Sequence, residues 1–75
     1  MNMEKNLKEE VGNRFKECRL QLGMSQREVA AAIGVAQPVY QRFEKGVFEC
    51  TYLQLVSLCK LFDVSADYIL GLSEY

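Results

Sequence analysis

The sequence predicts an all-α fold, a compact bundle of five helices. Three observations point there. Strand signals are nearly absent. Apolar residues recur at helical spacing in one segment after another. Helix punctuation is dense: capping residues open the periodic runs, glycines close them, and the connections are roughly 2–5 residues long.

The elements follow in order. Residues 1–10 are polar and charged, and residues 1–5 are expected to fray. Asn6, with Glu9 three residues on, is the candidate cap of the first helix. Val11, Phe15, Cys18 and Leu22 then repeat at helical spacing, and Gly23 ends the run. Ser25-Gln26-Arg27-Glu28 has the form of a capping box, in which hydroxyl and carboxylate each satisfy a backbone N–H of the other residue. The second helix carries Val29 and Ile33 on one side, with Ala30 allowing a neighbour to approach, and stops at Gly34. The third starts near Gln37. Pro38 suits a first turn, where no intrahelical donor is needed. Tyr40 and Phe43 form its inner side, and Gly46 closes it. Thr51-Tyr52-Leu53-Gln54 is a second capping box, followed by Leu55, Leu58, Cys59 and Phe62. Ser65 caps a short last helix through Ile69 and Leu70, with Gly71 as its stop.

Composition narrows the function classes. Seventy-five residues make a single domain over 1–75, small enough that oligomerisation or good local structure must support it. Hydrophobic residues make up 49% and charged residues 25%, too apolar for disorder. No secretory signal and no run of about 18 apolar residues is present, so neither export nor a membrane partner is expected. Cys18, Cys50 and Cys59 are odd in number, widely spaced and without histidine help, which argues against disulfides and against a metal site. The expected compartment is the cytoplasm. With no histidine and no clustered carboxylates, no acid–base constellation can be assembled. The expectation is therefore a protein that is not an enzyme and takes no cofactor.

Net charge is −1, but its distribution is uneven. Residues 1–46 hold eight Lys/Arg against six Asp/Glu, and residues 47–75 hold one against four. A modestly basic surface is expected on the first part of the fold and an acidic one at the far end.

The third helix has an unusual outer side. A solvated surface helix ordinarily shows Glu and Lys; this one shows Gln37, Pro38, Gln41 and Arg42. From a start at Gln37 these four fall on adjacent outward turns, while Tyr40 and Phe43 point in. Gln can pair with adenine N6 and N7, and Arg with guanine O6 and N7, each discriminating by about 1–3 kcal/mol. Pro38 has no donor, but its ring can contact a thymine methyl. The four residues read as a surface for base edges.

The segment Gln26 to Lys45 resembles the helix-turn-helix of the lambdoid phage repressor and Cro family, also called the xenobiotic-response-element family. The resemblance rests on Gln26, Ala30 and Gly34, on the apolar Val29, Ile33, Val35, Tyr40 and Phe43, and on the ending "FEKG". The flanking "NRFKECRLQLGMSQ" and "TYLQLVSLCKLFDVSADYILGL" extend it over roughly Val11 to Leu70. It implies a lambda repressor-like five-helix domain that docks a recognition helix, at about 37–45, in the DNA major groove. It further implies base reading by Gln37 and Arg42, and a phosphate contact by Gln26, which also braces the glutamine below. Arg19 and Glu44 match a family ion pair tying the first helix to the third. Ser25, Arg27 and Lys45 are further candidate phosphate contacts, although Arg27 and Lys45 fit a plain solvated surface equally well. Tyr40 stands where the family more often has an aliphatic residue, so its hydroxyl must reach water or an acceptor.

The expected function is sequence-specific regulation of transcription by a homodimeric repressor on double-stranded DNA, with half-sites about one helical turn apart. Ile69, Leu70, Leu72 and Tyr75 are the candidate dimer contacts. One departure opens a second reading. The loop Val47-Phe48-Glu49-Cys50 is apolar and acidic where the family often has basic or polar residues near the DNA backbone. That fits either a weak monomer that relies on dimerisation or a protein-interaction module, such as an antitoxin, with Val47 and Phe48 at the protein partner. Cys50, in this loop, is the one thiol open to a reactive role, although an inert side chain is the leading reading for it as well.

Overall fold

The computed structural model describes residues 3–74, with side chains from residue 7 onward. The described residues form α1 (Met3–Gln21), α2 (Gln26–Ile33), α3 (Gln37–Glu44), α4 (Tyr52–Phe62) and α5 (Ala66–Leu70), and none is in a strand. α1 begins at Met3, so Asn6 lies inside the helix and is not its N-cap. Residues 3–5, expected to fray, belong to α1; residues 1 and 2 lie outside the described residues.

The predicted caps at Ser25, Thr51 and Ser65 close as local chemistry requires. Ser25 Oγ accepts from Glu28 N at 3.0 Å, and Ser25 N donates back to Glu28 Oε1 at 2.9 Å. Thr51 and Gln54 repeat the arrangement at 3.1 and 2.8 Å. Ser65 Oγ accepts from Tyr68 N at 3.0 Å. α3 has no side-chain cap; Ala36 precedes it, and Pro38 in the first turn removes one donor that would otherwise need a partner. α4 ends on Asp63 in the left-handed region (φ 56°), a conformation its short polar side chain tolerates better than most.

α1 is the spine. It packs against α3, α5 and α4, while α2 packs against α3 and α4. The core takes residues from every helix: Phe15 and Cys18, Val29 and Ala30, Tyr40 and Phe43, Leu58 and Phe62, and Ile69. Phe15 and Phe62 meet at 6.4 Å between ring centroids, and Tyr40 and Phe43 meet edge to face at 6.3 Å. Leu22 does not join them, because it falls beyond the last turn of α1 and faces solvent.

Ile69 is fully buried in this single-chain core, so it is not available to a dimer partner. Leu70 beside it is half-buried, Leu72 is exposed, and Tyr75 lies outside the described residues.

Two glycines let α1 lie directly on the end of α3. A Cβ on Gly12 would sit 2.5 Å from the carbonyl oxygens of both Phe43 and Glu44. A Cβ on Gly46 would sit 2.9 Å from Glu9 Cα, and Gly46 also holds φ 73°. The C-terminal end of α3 is therefore set against α1 by backbone contact.

Candidate nucleic-acid interface

α2 and α3 form a helix–turn–helix. Gly34, at φ 74°, ends α2 in a left-handed turn, and Val35 N donates to Ala30 O at 3.0 Å to complete it. Val29 and Ala30 on α2, with Tyr40 and Phe43 on α3, are buried. Burial of that side leaves the opposite flank of α3 outward. Pro38, Arg42 and Lys45 are exposed, and Gln37 and Gln41 are half-buried. At the start of α2, Ser25 and Arg27 are exposed and Gln26 is half-buried.

A chain of hydrogen bonds runs from the core to this flank. Arg19 grips Glu44 with two donors, Nε to Oε2 at 2.7 Å and Nη2 to Oε1 at 3.1 Å. Its third arm, Nη1, donates to Met24 O at 3.0 Å, fixing the turn after α1. Glu44 Oε1 also accepts from Gln26 Nε2 at 3.0 Å. Gln26 Oε1 in turn accepts from Gln37 Nε2 at 2.9 Å. The carboxylate can only accept, so it turns the Gln26 amide nitrogen inward and its oxygen toward Gln37. One Gln37 N–H is used, leaving the second N–H and the carbonyl oxygen as its remaining donor and acceptor.

The electrostatics of this chain follow from burial. Burial disfavours the charge on Glu44, but the Arg19 guanidinium, the Tyr40 phenol and the Gln26 amide outweigh it and hold the carboxyl below the usual range. The hydrogen bond to Glu44 raises the Arg19 pKa further. Tyr40 is buried beside this pair, and its hydroxyl makes no hydrogen bond of ordinary geometry. The nearest thing to the anticipated acceptor is the neighbouring Glu44 carboxylate, met outside ordinary hydrogen-bond geometry. Burial and then the Glu44 carboxylate push its phenol far above the usual tyrosine range.

Other predicted residues stand apart from the chain. Arg27, Arg42 and Lys45 form no ion pair with another described residue, so they are charged groups on an open surface. The Ser25 hydroxyl accepts the capping bond and keeps its own O–H as a donor. The first intrahelical bond of α2 is Val29 N to Ser25 O, so the N–H groups of Gln26 and Arg27 precede it, where a helix start attracts phosphate. Cys50 is half-buried, and burial raises its thiol pKa, which lowers the share of thiolate that reactivity needs.

One contact had no counterpart in the sequence pattern. The Arg42 guanidinium lies over the Phe48 ring at 5.2 Å from its centroid. Only the position of an aromatic residue shortly after Gly46 hinted at it. Among the described residues, no cluster of three potential ligand residues could hold a metal ion, and no helix is long and apolar enough to cross a membrane.

Comparison with known proteins agrees with this geometry. A family model described as helix-turn-helix matches residues 15–69. HTH-type transcriptional regulator YqaE of Bacillus subtilis is 36% identical over 56 residues, covering 75% of this chain and 48% of that protein. ImmR, an HTH-type transcriptional regulator of the same organism, is 31% identical over 64 residues, covering 85% of this chain and 50% of that protein. The chain thus spans about half the length of these curated relatives. Among solved structures, the clp gene regulator ClgR of C. glutamicum superposes with a TM-score of 0.77 at 28% identity, covering 87% of this chain and 84% of that one. With its five-helix fold, its turn between α2 and α3 and these matches, the chain belongs to the Cro/C1-type helix-turn-helix family.

Proposed function

We propose that this chain is a sequence-specific DNA-binding transcriptional regulator, a repressor that places α3 in the major groove of a palindromic operator as a two-fold dimer. One observation carries the proposal: Gln37, on the outward flank of α3, has its amide oriented by Gln26 while keeping one N–H and its oxygen. Adenine presents N7 as acceptor and N6 as donor on its major-groove edge, the complement of that pair. Pro38, Gln41 and Arg42 continue the reading surface. Ser25, Gln26, Arg27 and Lys45 flank it as phosphate contacts. The names of the relatives, HTH-type transcriptional regulators, support the same reading. Leu72, exposed after α5, and half-buried Leu70 are the dimer contacts this reading retains, together with Tyr75.

The test is selection from random duplexes, followed by titration at several salt concentrations. Gln37→Ala should flatten base preference at one position per half-site, at a cost of about 1–3 kcal/mol on the preferred duplex. Lys45→Ala should weaken all sequences alike and reduce the salt slope by about 1. If no duplex is enriched, or if both variants bind like the parent, the proposal is wrong.

A second reading, a protein-interaction module such as an antitoxin, has its own support. Val47, Phe48, Tyr52 and Leu53 put exposed apolar surface around the α3–α4 connection. Salt separates the two. Binding through phosphates weakens steeply as salt rises, whereas an apolar interface barely responds.

A further inference from the structure

The loop after α3 departs from a basic, phosphate-seeking loop, and its geometry gives it another use. Arg42 O accepts from both Val47 N at 3.0 Å and Phe48 N at 3.3 Å, so the loop folds back onto the last turn of α3. That fold carries the Phe48 ring under the Arg42 guanidinium, 5.2 Å from centroid to Cζ. The exposed Phe48 ring also lines an apolar cleft of about 250 Å³, together with Val11, Phe15, Phe43 and Leu55. The guanidinium over this ring is a cation–π contact, within the range of about 6 Å over which the attraction operates.

We propose that Phe48 is a positioning residue for Arg42, holding the guanidinium on the outward flank of α3 before DNA arrives and thereby setting base preference at the position Arg42 reads. This rests on the DNA-binding reading above. A guanidinium stacked on a ring uses its face and keeps the N–H donors at its edge, which are the groups that pair with guanine O6 and N7. An unstacked arginine must lose its rotamer freedom on binding; a stacked one has already lost part of it.

The experiment compares the parent with Phe48→Leu, Phe48→Tyr, Arg42→Ala and the double variant Arg42→Ala/Phe48→Leu. The probe is the duplex the parent enriches from a random pool. Phe48→Leu keeps apolar bulk and removes the ring; it should weaken binding roughly two- to fivefold. It should also flatten preference at the same base pair that Arg42→Ala flattens, and only there. Phe48→Tyr should restore both. Phe48→Leu should add no loss to Arg42→Ala. In the free protein, the Arg42 side-chain protons should show an upfield ring-current shift that disappears in Phe48→Leu and remains in Phe48→Tyr. Additive losses in the double variant, or Arg42 protons without a ring-current shift, overturn this proposal while leaving DNA binding intact. Enrichment of no duplex overturns the DNA-binding reading, and this inference with it.

Discussion

Replacing Gly12 by alanine separates two forces of opposite sign. Gly12 lies inside α1, an interior helix position where alanine is ordinarily favoured over glycine by about 1 kcal/mol. Propensity alone therefore predicts a more stable protein. Packing predicts the reverse, because the new Cβ would stand 2.5 Å from two backbone oxygens, those of Phe43 and Glu44. Neither atom can rotate away as a side chain would, so α1 and α3 must part by roughly 1 Å to restore ordinary contact distance. Overpacking of a tight site costs about 1–3 kcal/mol, and immovable carbonyls place this case in the upper half. Net of the helix gain, Gly12→Ala should lose about 1–2 kcal/mol. For a domain of this size each kcal/mol lowers Tm by about 4–8 °C. Urea and thermal unfolding followed by far-UV circular dichroism measure both quantities. Asn13→Ala, at an exposed neighbour in the same helix, controls for propensity. A Gly12→Ala protein that melts at or above the parent would refute the close crossing of α1 over α3.

Two further outcomes follow from the polar network. The Glu44 carboxyl titrates below its unfolded value when folded, so its pairing stabilises fully above the ordinary carboxylate range near pH 4.3 and is lost as pH falls through the depressed folded value. Stability measured between about pH 6 and pH 3 should therefore fall more steeply in the parent than in Glu44→Gln, and parallel curves would contradict the shift. Tyr40→Phe removes a buried hydroxyl whose contact with the Glu44 carboxylate is poorly aligned. Its unfolding free energy should match the parent or exceed it by about 1 kcal/mol, and a loss larger than that would show that the hydroxyl is engaged with the Arg19–Glu44 pair.

Most features decided within four residues were legible in the sequence; the Asn6–Glu9 cap was not, because α1 already begins at Met3. The hydroxyl–carboxylate or hydroxyl–amide box at Ser25 and Thr51, the cap at Ser65 and the proline opening of α3 are short-range chemistry, and each closes with its expected partners. Features that depend on which elements meet were not. Gly12 carries no local sign of the crossing it permits, because glycine inside a helix looks like a propensity defect until α3 is placed against it. Ile69 was ambiguous for a related reason. In a helix of five residues, an apolar side meant for the core cannot be told from one meant for a second subunit. Leu22 kept the helical spacing but fell past the turn where the helix stops, so its periodicity had no packing consequence. Of the candidate interface, the outward flank of α3 could be read from periodicity. The Arg42–Phe48 contact could not, because it requires the loop to fold back across the helix end.

The Arg19–Glu44 pair also bears on why a small core should contain a charge. A buried ion pair is a poor stabiliser, since desolvation offsets much of the attraction, and apolar residues of similar volume commonly do as well or better. Here Glu44 Oε1 serves two donors, Arg19 Nη2 and Gln26 Nε2. An apolar pair at positions 19 and 44 would fill the space but remove the acceptor that holds the Gln26 nitrogen inward. The Gln26 amide could then flip and offer nitrogen to Gln37 in place of oxygen, and Gln37 would keep that bond only by turning its own oxygen inward, which reverses its outward orientation. On stability alone the exchange is close to neutral; on the orientation of the outward glutamine it is not. The Glu44 charge is thus better explained by what it does to the outward Gln37, two hydrogen bonds away, than by what it adds to the free energy of folding.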